Sequence, residues 1–101
     1  MTTRRVRFTK TAQGHLQQAK QWWRENRDEP DILVEDIEEA IFVIARLPGV
    51  GSAYTSSNVP GVRRIYLRRL GAHLYYTFRD EEVLVRAFWH AKRGSGPQFA
   101  R

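Results

Sequence analysis

The sequence predicts an α+β domain in which a helical hairpin packs on a small, mainly antiparallel twisted sheet, in the order β-α-α-β-β-β. Two observations predict this class. The first half of the chain holds two stretches with helical periodicity, and the second half holds three strand-like runs joined by short turns. The 101 residues, 42% hydrophobic and 28% charged, are typical of a single globular domain covering residues 1–101.

The chain begins with a strand and an amphipathic helix. Polar and apolar residues alternate from Arg5 to Thr9, which predicts a short strand, and Thr9 is a suitable N-cap for a helix over 10–27. The apolar stripe of this helix consists of Ala12, Leu16, Ala19 and Trp23. Trp22 adjoins the stripe. We interpret both tryptophans as core and hairpin residues, although a solvent-facing Trp22 would be a candidate interface anchor.

Residues 26–30 form a short connection to a second helix, which begins at Asp31 or Ile32 and ends at Leu47, before Pro48. Its buried face is predicted to contain Leu33, Ile37, Ala40, Ile41, Ile44 and Leu47. The acidic residues of its first half are favoured by the helix dipole, and we expect them to form a solvated face.

The second half of the chain is predicted to be a β-meander. Residues 49–61 are rich in glycine and serine and indicate a surface loop. Strand-like runs at 62–69, 73–79 and 83–90 are separated by turns so short that they allow only antiparallel hairpins. The last run is apolar enough to be a central strand. Residues 91–101 are predicted to be an irregular tail.

The positive charge lies in the second half. Residues 1–47 carry eight basic and eight acidic side chains, whereas residues 48–101 carry nine and three, which accounts for the whole net charge of +6. A chain whose second half is basic while its first half is neutral is expected to present a surface for a polyanionic or acidic partner. The alternative is that the charge serves solubility alone.

Several function classes are excluded or disfavoured. There is no cysteine, and His15, His73 and His90 lack metal-ligand spacing, so we expect neither a metal nor a cofactor. His15 is predicted to be a solvated helix residue. Phosphate-binding glycine loops and nucleophile elbows are absent. No apolar run could span a bilayer, and the first residues do not resemble a secretory signal, so we expect a cytoplasmic protein without membrane contact.

Alternate residues of the predicted strands form a basic, aromatic set. This set comprises Arg64, Tyr66, Arg68, His73, Tyr75, Thr77, Arg79, Arg86 and His90. If the helices cover the sheet face that carries the alternating apolar residues, this set lies together on the opposite face. Arginines there could bind phosphates, and tyrosines could stack on bases. An ordinary exposed antiparallel face would look the same. The strand registers stay open at this point.

The same residues also allow the hypothesis of a metal-independent ribonuclease site. His90 could transfer a proton, while Arg64 and Arg68 or Arg69 could surround the phosphate. A second proton-transfer group is missing, because the carboxylates at 80–82 lie in a turn. The catalytic set is therefore incomplete, and we lean towards a protein that acts by binding.

Several local strings, in this order, resemble the RelE/ParE superfamily of type II toxins, closest to its ParE-like, plasmid-stabilisation branch. They are Phe8-Thr9, the run 19–27 (AKQWWRENR), 47–51 (LPGVG), 61–64 (GVRR), 73–76 (HLYY) and 87–94 (AFWHAKRG). The resemblance covers nearly the whole chain. It implies the β-α-α-β-β-β fold and a bacterial growth-inhibiting toxin, held inactive in a hetero-oligomer by an acidic antitoxin that folds on binding.

The resemblance leaves the target open between two branches. ParE-like toxins inhibit DNA gyrase by binding, whereas RelE-like toxins cut mRNA on the ribosome with the basic sheet face. Nucleases of the superfamily use lysine-rich sets or a glutamate-arginine-histidine set. This chain has no lysine between Lys20 and Lys92, and no acidic residue in 49–61 to accompany Arg64 and His90.

The ParE-like reading is therefore favoured. The alternatives are a RelE-like endonuclease and a degenerate toxin that only binds its antitoxin. The residues predicted to contact antitoxin or target are Arg63, Arg64, Tyr66, Arg68, Arg69, Tyr75, Arg86, His90, Lys92 and Arg93.

Overall fold

The computed structural model describes residues 3–99, and it confirms the predicted α+β class and element order. The elements are β1 Arg5–Phe8, α1 Lys10–Asn26, α2 Asp31–Arg46, a 3-10 helix Pro48–Val50, β2 Ser52–Ala53, β3 Arg63–Leu67, β4 Ala72–Phe78 and β5 Glu82–His90. The 3-10 helix and the two-residue β2 were not predicted. The 3-10 helix begins one residue before the segment 49–61 that was expected to be an irregular loop, and β2 lies inside that segment.

The strands form one sheet in the order β1-β5-β4-β3-β2. β1 is parallel to β5 and pairs Val6 with Val83, whereas the other neighbours are antiparallel. The first half of β5 therefore has a strand on each side, which confirms the prediction that it is central.

Both helices contribute their apolar stripes to a core on one face of the sheet. The side chain of Thr9 caps α1 by accepting a hydrogen bond from the Ala12 amide at 3.1 Å, as predicted. The core includes Ala12, Ala19, Trp23, Leu33, Ile37, Ala40, Ile44, Leu74, Tyr76, Val83, Val85 and Phe88. Leu47 was wrongly expected there, because it lies just past the end of α2 and is 53% exposed. Within residues 3–99, neither helix combines the length and apolar character needed to cross a membrane.

A β-bulge at Arg86 changes which face the end of β5 presents. Val85 pairs with Tyr76 but Ala87 pairs with Tyr75, so Arg86 is an extra residue without a counterpart in β4. A bulge shifts the alternation of all residues that follow it. Ala87 consequently leaves the face of Val85, and His90 lies on the helix side of the sheet. The prediction that His90 shares a face with Arg64 and Arg86 is therefore wrong.

Tyr76 fixes the segment after α2. Its buried hydroxyl donates to the Pro48 carbonyl at 2.6 Å and accepts from the Gly51 amide at 2.9 Å. Burial raises the pKa of this hydroxyl, which stays protonated and able to donate. Gly51 is needed here, because a Cβ would collide with the tyrosine ring and the Arg64 carbonyl. These contacts hold the chain close enough to β3 for Ser52 and Ala53 to pair as β2.

Candidate functional site

Most of the predicted basic and aromatic residues lie on two surfaces on opposite sides of the sheet. The sheet-face cluster consists of Arg64, Tyr66, His73, Tyr75 and Arg86, on the face away from the helices. The Trp22 surface consists of Trp22, Arg27, Arg69, His90, Lys92 and Arg93, where α1 ends beside the β3–β4 turn and the end of β5. The basic second half of the chain thus supplies two distinct surfaces instead of one.

Arg63 and Arg68 belong to neither surface. Arg63 donates to the carbonyl of Gly51 at 2.6 Å and to that of Gly49 at 3.4 Å, and so holds the turn before β2. Arg68 lies exposed in the β3–β4 turn, beside the acidic face of α2. A role for these two arginines in partner contact stays a prediction.

Stacked rings and one arginine build the sheet-face cluster. Tyr66 lies opposite His73 in the antiparallel pair of β3 and β4, with ring centroids 5.1 Å apart, and His73 lies 5.9 Å from Tyr75. The Arg64 guanidinium donates to the Tyr75 hydroxyl at 3.3 Å and lies 5.2 Å above the ring of Tyr54. Cross-strand aromatic pairs and cation–π contacts of this kind stabilise a sheet.

Burial and charge both act on His73. Burial, and then the positive charge of Arg64, lower the pKa of His73, so its neutral form is favoured. Its Nδ1 atom is buried and has no hydrogen-bond partner among the described residues. A neutral imidazole wedged between tyrosine rings is suited to packing more than to proton transfer.

The centre of the sheet-face cluster is covered by the chain itself. Tyr75 is only 2% exposed, because Tyr54 packs edge-on against it at 4.9 Å and Phe99 lies 5.7 Å away. Phe99 is the anchor of a tail segment, residues 94–99. Of the cluster's tyrosines, only Tyr66 remains broadly accessible, at 53%.

The tail segment is held at several points. The indole of Trp89 donates to the Ser95 carbonyl at 2.7 Å, and Pro97 is buried. Gly96 passes so close to the Tyr54 hydroxyl that a Cβ would overlap it. Residues 91–99 contain no helix or strand, and residues 100 and 101 of the predicted tail lie outside the described residues. Phe99 is nevertheless a core residue of the sheet face. Sequence reasoning missed Tyr54 and Phe99, because nothing in the local pattern links residues so far apart.

Arg86 lies at the edge of the sheet-face cluster. It donates from Nε to the Thr77 hydroxyl at 2.9 Å. Burial, followed by the charge of Arg79, lowers its pKa, although a guanidinium remains charged at neutral pH. Together with Arg7 these two arginines line a hollow of about 500 Å³ beside the loop at 59–61. Glu82 adds a carboxylate there, paired with Arg7 at 2.9 Å.

The Trp22 surface is open to solvent. The interpretation of Trp22 as a core residue is wrong, because this ring is 45% exposed; it is instead the solvent-facing residue that the sequence offered as the alternative. Its neighbour Trp23 is 7% exposed and belongs to the core, as predicted. The Arg27 guanidinium lies 4.8 Å above the Trp22 ring, and the two indoles meet edge to face at 6.4 Å. Sequence reasoning did not single out Arg27, because this residue is the extended C-cap just past the end of α1, where helical spacing no longer shows which side chains meet.

Two hollows, of about 340 and 350 Å³, flank the pair of Trp22 and His90. Apolar groups line the hollows: Ala19, Trp23, Leu70, Gly71 and Phe88. The charged groups around the rims are cations, and no aspartate or glutamate of the described chain lines either hollow. Burial, and then Arg93, lower the pKa of His90, so this imidazole is favoured in its neutral form.

Arg69 is the member of the Trp22 surface whose charge is already balanced. The single Nε–H of Arg69 is shared between the two carboxylate oxygens of Asp36, at 3.1 and 3.2 Å, and Nη2 also donates to Asp36. A carboxylate oxygen of Glu35 lies 3.7 Å from the same Nη2. These carboxylates raise the pKa of Arg69, chiefly through the hydrogen bond to Asp36. Part of the acidic face of α2, predicted to be solvated, thus pairs with the β3–β4 turn.

His15 corrects another prediction, since it is not a solvated helix residue. Its Nδ1 accepts the backbone amide of Phe88 at 3.2 Å, and its ring lies 5.3 Å from that of Trp89. β1 pairs with only the first residues of β5, so α1 supplies this acceptor to the later, otherwise open edge. Burial, and then Arg93, lower the pKa of His15 and favour the neutral form that can accept.

The geometry separates the residues weighed for catalysis. Arg64 lies on the sheet face, His90 lies on the helix side, and Arg68 lies in a turn. A nuclease site needs its proton-transfer group and its phosphate-binding cations around one reacting atom. In residues 3–99, no group of three or more histidine, aspartate or glutamate side chains could hold a metal ion.

The fold defines the class of protein that this chain is similar to. Its helical hairpin on a mixed five-stranded sheet is the architecture implied by the resemblance to the RelE/ParE superfamily. A solved structure described as the chromosomal ParDE TA system from P. aeruginosa matches it with a TM-score of 0.69. The match covers 89% of this chain and 98% of the other, at 18% identity, and it confirms the predicted fold. No protein-family model and no curated protein matches the sequence.

Proposed function

We propose that this protein is the toxin of a type II toxin-antitoxin system, and that it inhibits DNA gyrase by binding. The fold shared with a chain of a ParDE TA system is the observation that carries the proposal. The local strings from Phe8 to Gly94 that resemble ParE-like toxins support it further. Fold by itself does not choose a target, because one scaffold can serve several functions. The choice of gyrase depends on the site.

The separation of Arg64 from His90 favours binding over catalysis. These residues were the best candidates for a phosphate-binding cation and a proton-transfer group, and they lie on opposite faces of the sheet. The residue on the same face that could replace His90 is His73, which is packed between two tyrosine rings. A protein that acts by occupying its target does not need such a pair.

The cognate antitoxin is the proposed partner in the inactive state. An acidic segment that folds on binding is complementary to the arginines and lysine of the second half of the chain. The expected assembly is a toxin-antitoxin hetero-oligomer that stabilises a plasmid or limits growth. Gyrase is cytoplasmic, so the protein is placed in the cytoplasm.

A supercoiling assay tests the gyrase proposal. The purified full chain is added over a wide concentration range to gyrase and relaxed plasmid, and we expect inhibition of supercoiling. Induction of the chain in a bacterial host should arrest growth, and co-expression of its antitoxin should restore it. Growth arrest without any effect on gyrase at the highest concentration would contradict the proposed target.

The same induced cells separate the two alternatives. Primer extension would reveal codon-linked mRNA cuts if the protein were a RelE-like endonuclease, and those cuts should then disappear in Arg64→Ala and in His90→Ala. A chain that binds its antitoxin but neither arrests growth nor inhibits gyrase would be a degenerate toxin. A short acidic reading frame beside the gene, with a DNA-binding first half, would support the toxin-antitoxin assignment.

A further inference from the structure

We propose that the Trp22 surface is a docking site for an acidic protein segment that inserts one or two apolar anchor side chains beside Trp22. We assign this segment to the antitoxin, and only that assignment rests on the proposed function. The recognition chemistry itself is argued from the residues of this chain.

Trp22 has the features of an interface anchor. It exposes 45% of its surface although the neighbouring Trp23 is buried, so the exposure is specific to this ring. Arg27 stacks over it at 4.8 Å and limits its freedom in the unbound protein. Tryptophan and arginine are the residue types most enriched among those that dominate binding energy, and prior ordering reduces the entropy lost on binding.

The hollows beside Trp22 match apolar side chains in size and lining. Each has a volume of about 340–350 Å³, and their walls include Ala19, Leu70 and Phe88. A leucine or phenylalanine side chain placed there would be desolvated against aliphatic and aromatic groups. The buried indole N–H of Trp23, next to one hollow, has no acceptor among the described residues. The apolar walls distinguish the site from a surface that merely carries charge.

The rim selects an acidic occupant. Arg27, Lys92 and Arg93 approach the hollows, and no carboxylate of residues 3–99 lines them. The stacking of Arg93 on Trp89 at 4.0 Å positions its guanidinium without neutralising it. Asp36 and Glu35 already balance Arg69, so the uncompensated charge is concentrated on the side of Arg27 and Lys92.

A protein segment fits this arrangement better than a nucleic acid does. Single-stranded nucleic acid requires successive rings for stacking along a basic groove. Here one accessible indole adjoins hollows with largely apolar walls and cations at their rims, which suits alternating apolar and acidic side chains. Nucleic acid binding is an outcome that the experiment can detect.

The test titrates the full chain into a fluorescent synthetic peptide in which leucines alternate with glutamates. We expect saturable binding that weakens as salt is added, because the rim contacts are exposed charges. Trp22→Ala should lower the affinity about tenfold. Lys92→Glu should lower it as well, and this exposed substitution is not expected to disturb folding.

Phe42 and Arg46 on α2 provide a matched control. Phe42 is 58% exposed and has the Arg46 guanidinium 3.5 Å above its ring, which reproduces the stacking of Arg27 on Trp22 outside the proposed site. Phe42→Ala should leave peptide affinity unchanged. A peptide with glutamine in place of glutamate, and one with serine in place of leucine, should both bind more weakly than the original.

Four results would overturn the docking site: no saturable binding, equal affinity for the glutamine peptide, equal losses in Trp22→Ala and Phe42→Ala, or displacement of the peptide by a single-stranded oligonucleotide. The proposed function would fail differently. If the antitoxin neutralises the Trp22→Ala toxin as well as the original, the toxin assignment stands, and the assignment of the docked segment to the antitoxin falls. If the chain causes no growth arrest but the peptide binds at Trp22, the docking site stands and the toxin assignment falls.

Discussion

The sheet-face cluster and the Trp22 surface are made from the same kinds of side chain but end in opposite states. Each has an arginine stacked on an aromatic ring and a histidine whose pKa burial lowers. A buried ring nitrogen without a hydrogen-bond partner among residues 3–99 belongs to His73 in the first and to Trp23 next to the second. The chain covers the first with Tyr54 and Phe99, whereas it leaves Trp22 exposed. A cluster of arginines and rings therefore indicates a partner only where the protein has not already filled it.

The largest expected effect tests whether the sheet-face cluster is truly closed. Phe99→Ala removes a ring that is 7% exposed and packs on Tyr54 and Tyr75. We expect the free energy of unfolding, measured in urea, to fall by about 3–5 kcal/mol, since truncation of a buried phenylalanine costs about this much. The neighbouring exposed Gln98→Ala should stay within about 0.5 kcal/mol. If Phe99→Ala left the free energy of unfolding unchanged, the tail segment would not be what closes this face.

Trp22→Ala tests the open region by the same measurement. The ring is nearly half exposed, so its removal should lower the free energy of unfolding by only about 1 kcal/mol. Phe42→Ala should cost a similar small amount. If Trp22→Ala destabilised the protein as much as Phe99→Ala, the indole would be a structural residue and the contrast between the two regions would disappear.

A smaller effect isolates the contact between Arg64 and the buried ring beneath it. Tyr75→Phe removes the hydroxyl that accepts from Arg64 at 3.3 Å and keeps the packing of the ring. We expect a loss of about 0.5–1 kcal/mol in the free energy of unfolding. Tyr66→Phe, on the exposed ring of the same cluster, is the matched control and should change it by less. Equal losses would indicate that the hydrogen bond contributes nothing specific.

The smallest effect concerns pH and the edge of β5. Burial lowers the pKa of His15 in the folded protein, so the unfolded chain takes up a proton first as the pH falls. The stabilisation is therefore complete above the ordinary histidine value of about 6.5 and declines below it.

His15→Asn offers an acceptor for the Phe88 amide that does not titrate. The free energy of unfolding of this variant should decline less between neutral and mildly acidic pH than that of the original. His73 and His90, whose pKa values are also lowered, should retain part of the slope. An identical pH profile for His15→Asn and the original protein would contradict the role of His15 as a neutral acceptor.

Much of the fold follows from local sequence patterns. The stripe from Ala12 to Trp23 and the alternation in the strands identified the elements, because helix and strand periods expose their buried faces directly. The site was less accessible to such reasoning. Alternation placed Arg64, Tyr66 and Arg86 on one face correctly, but it misplaced His90, since a single bulge residue reverses every later position.

The sequence by itself determined the order of helices and strands, the capping of α1 by Thr9, the burial of Trp23 and the positive charge of the second half. Only the tertiary structure decided that this charge is divided between two sides of the sheet, and that Phe99 closes one of them while Trp22 stays open. Periodicity and capping act within a few residues, so a sequence displays them. A bulge register and the packing of residue 99 on residue 75 depend on contacts between distant parts of the chain, which form only once the sheet is assembled.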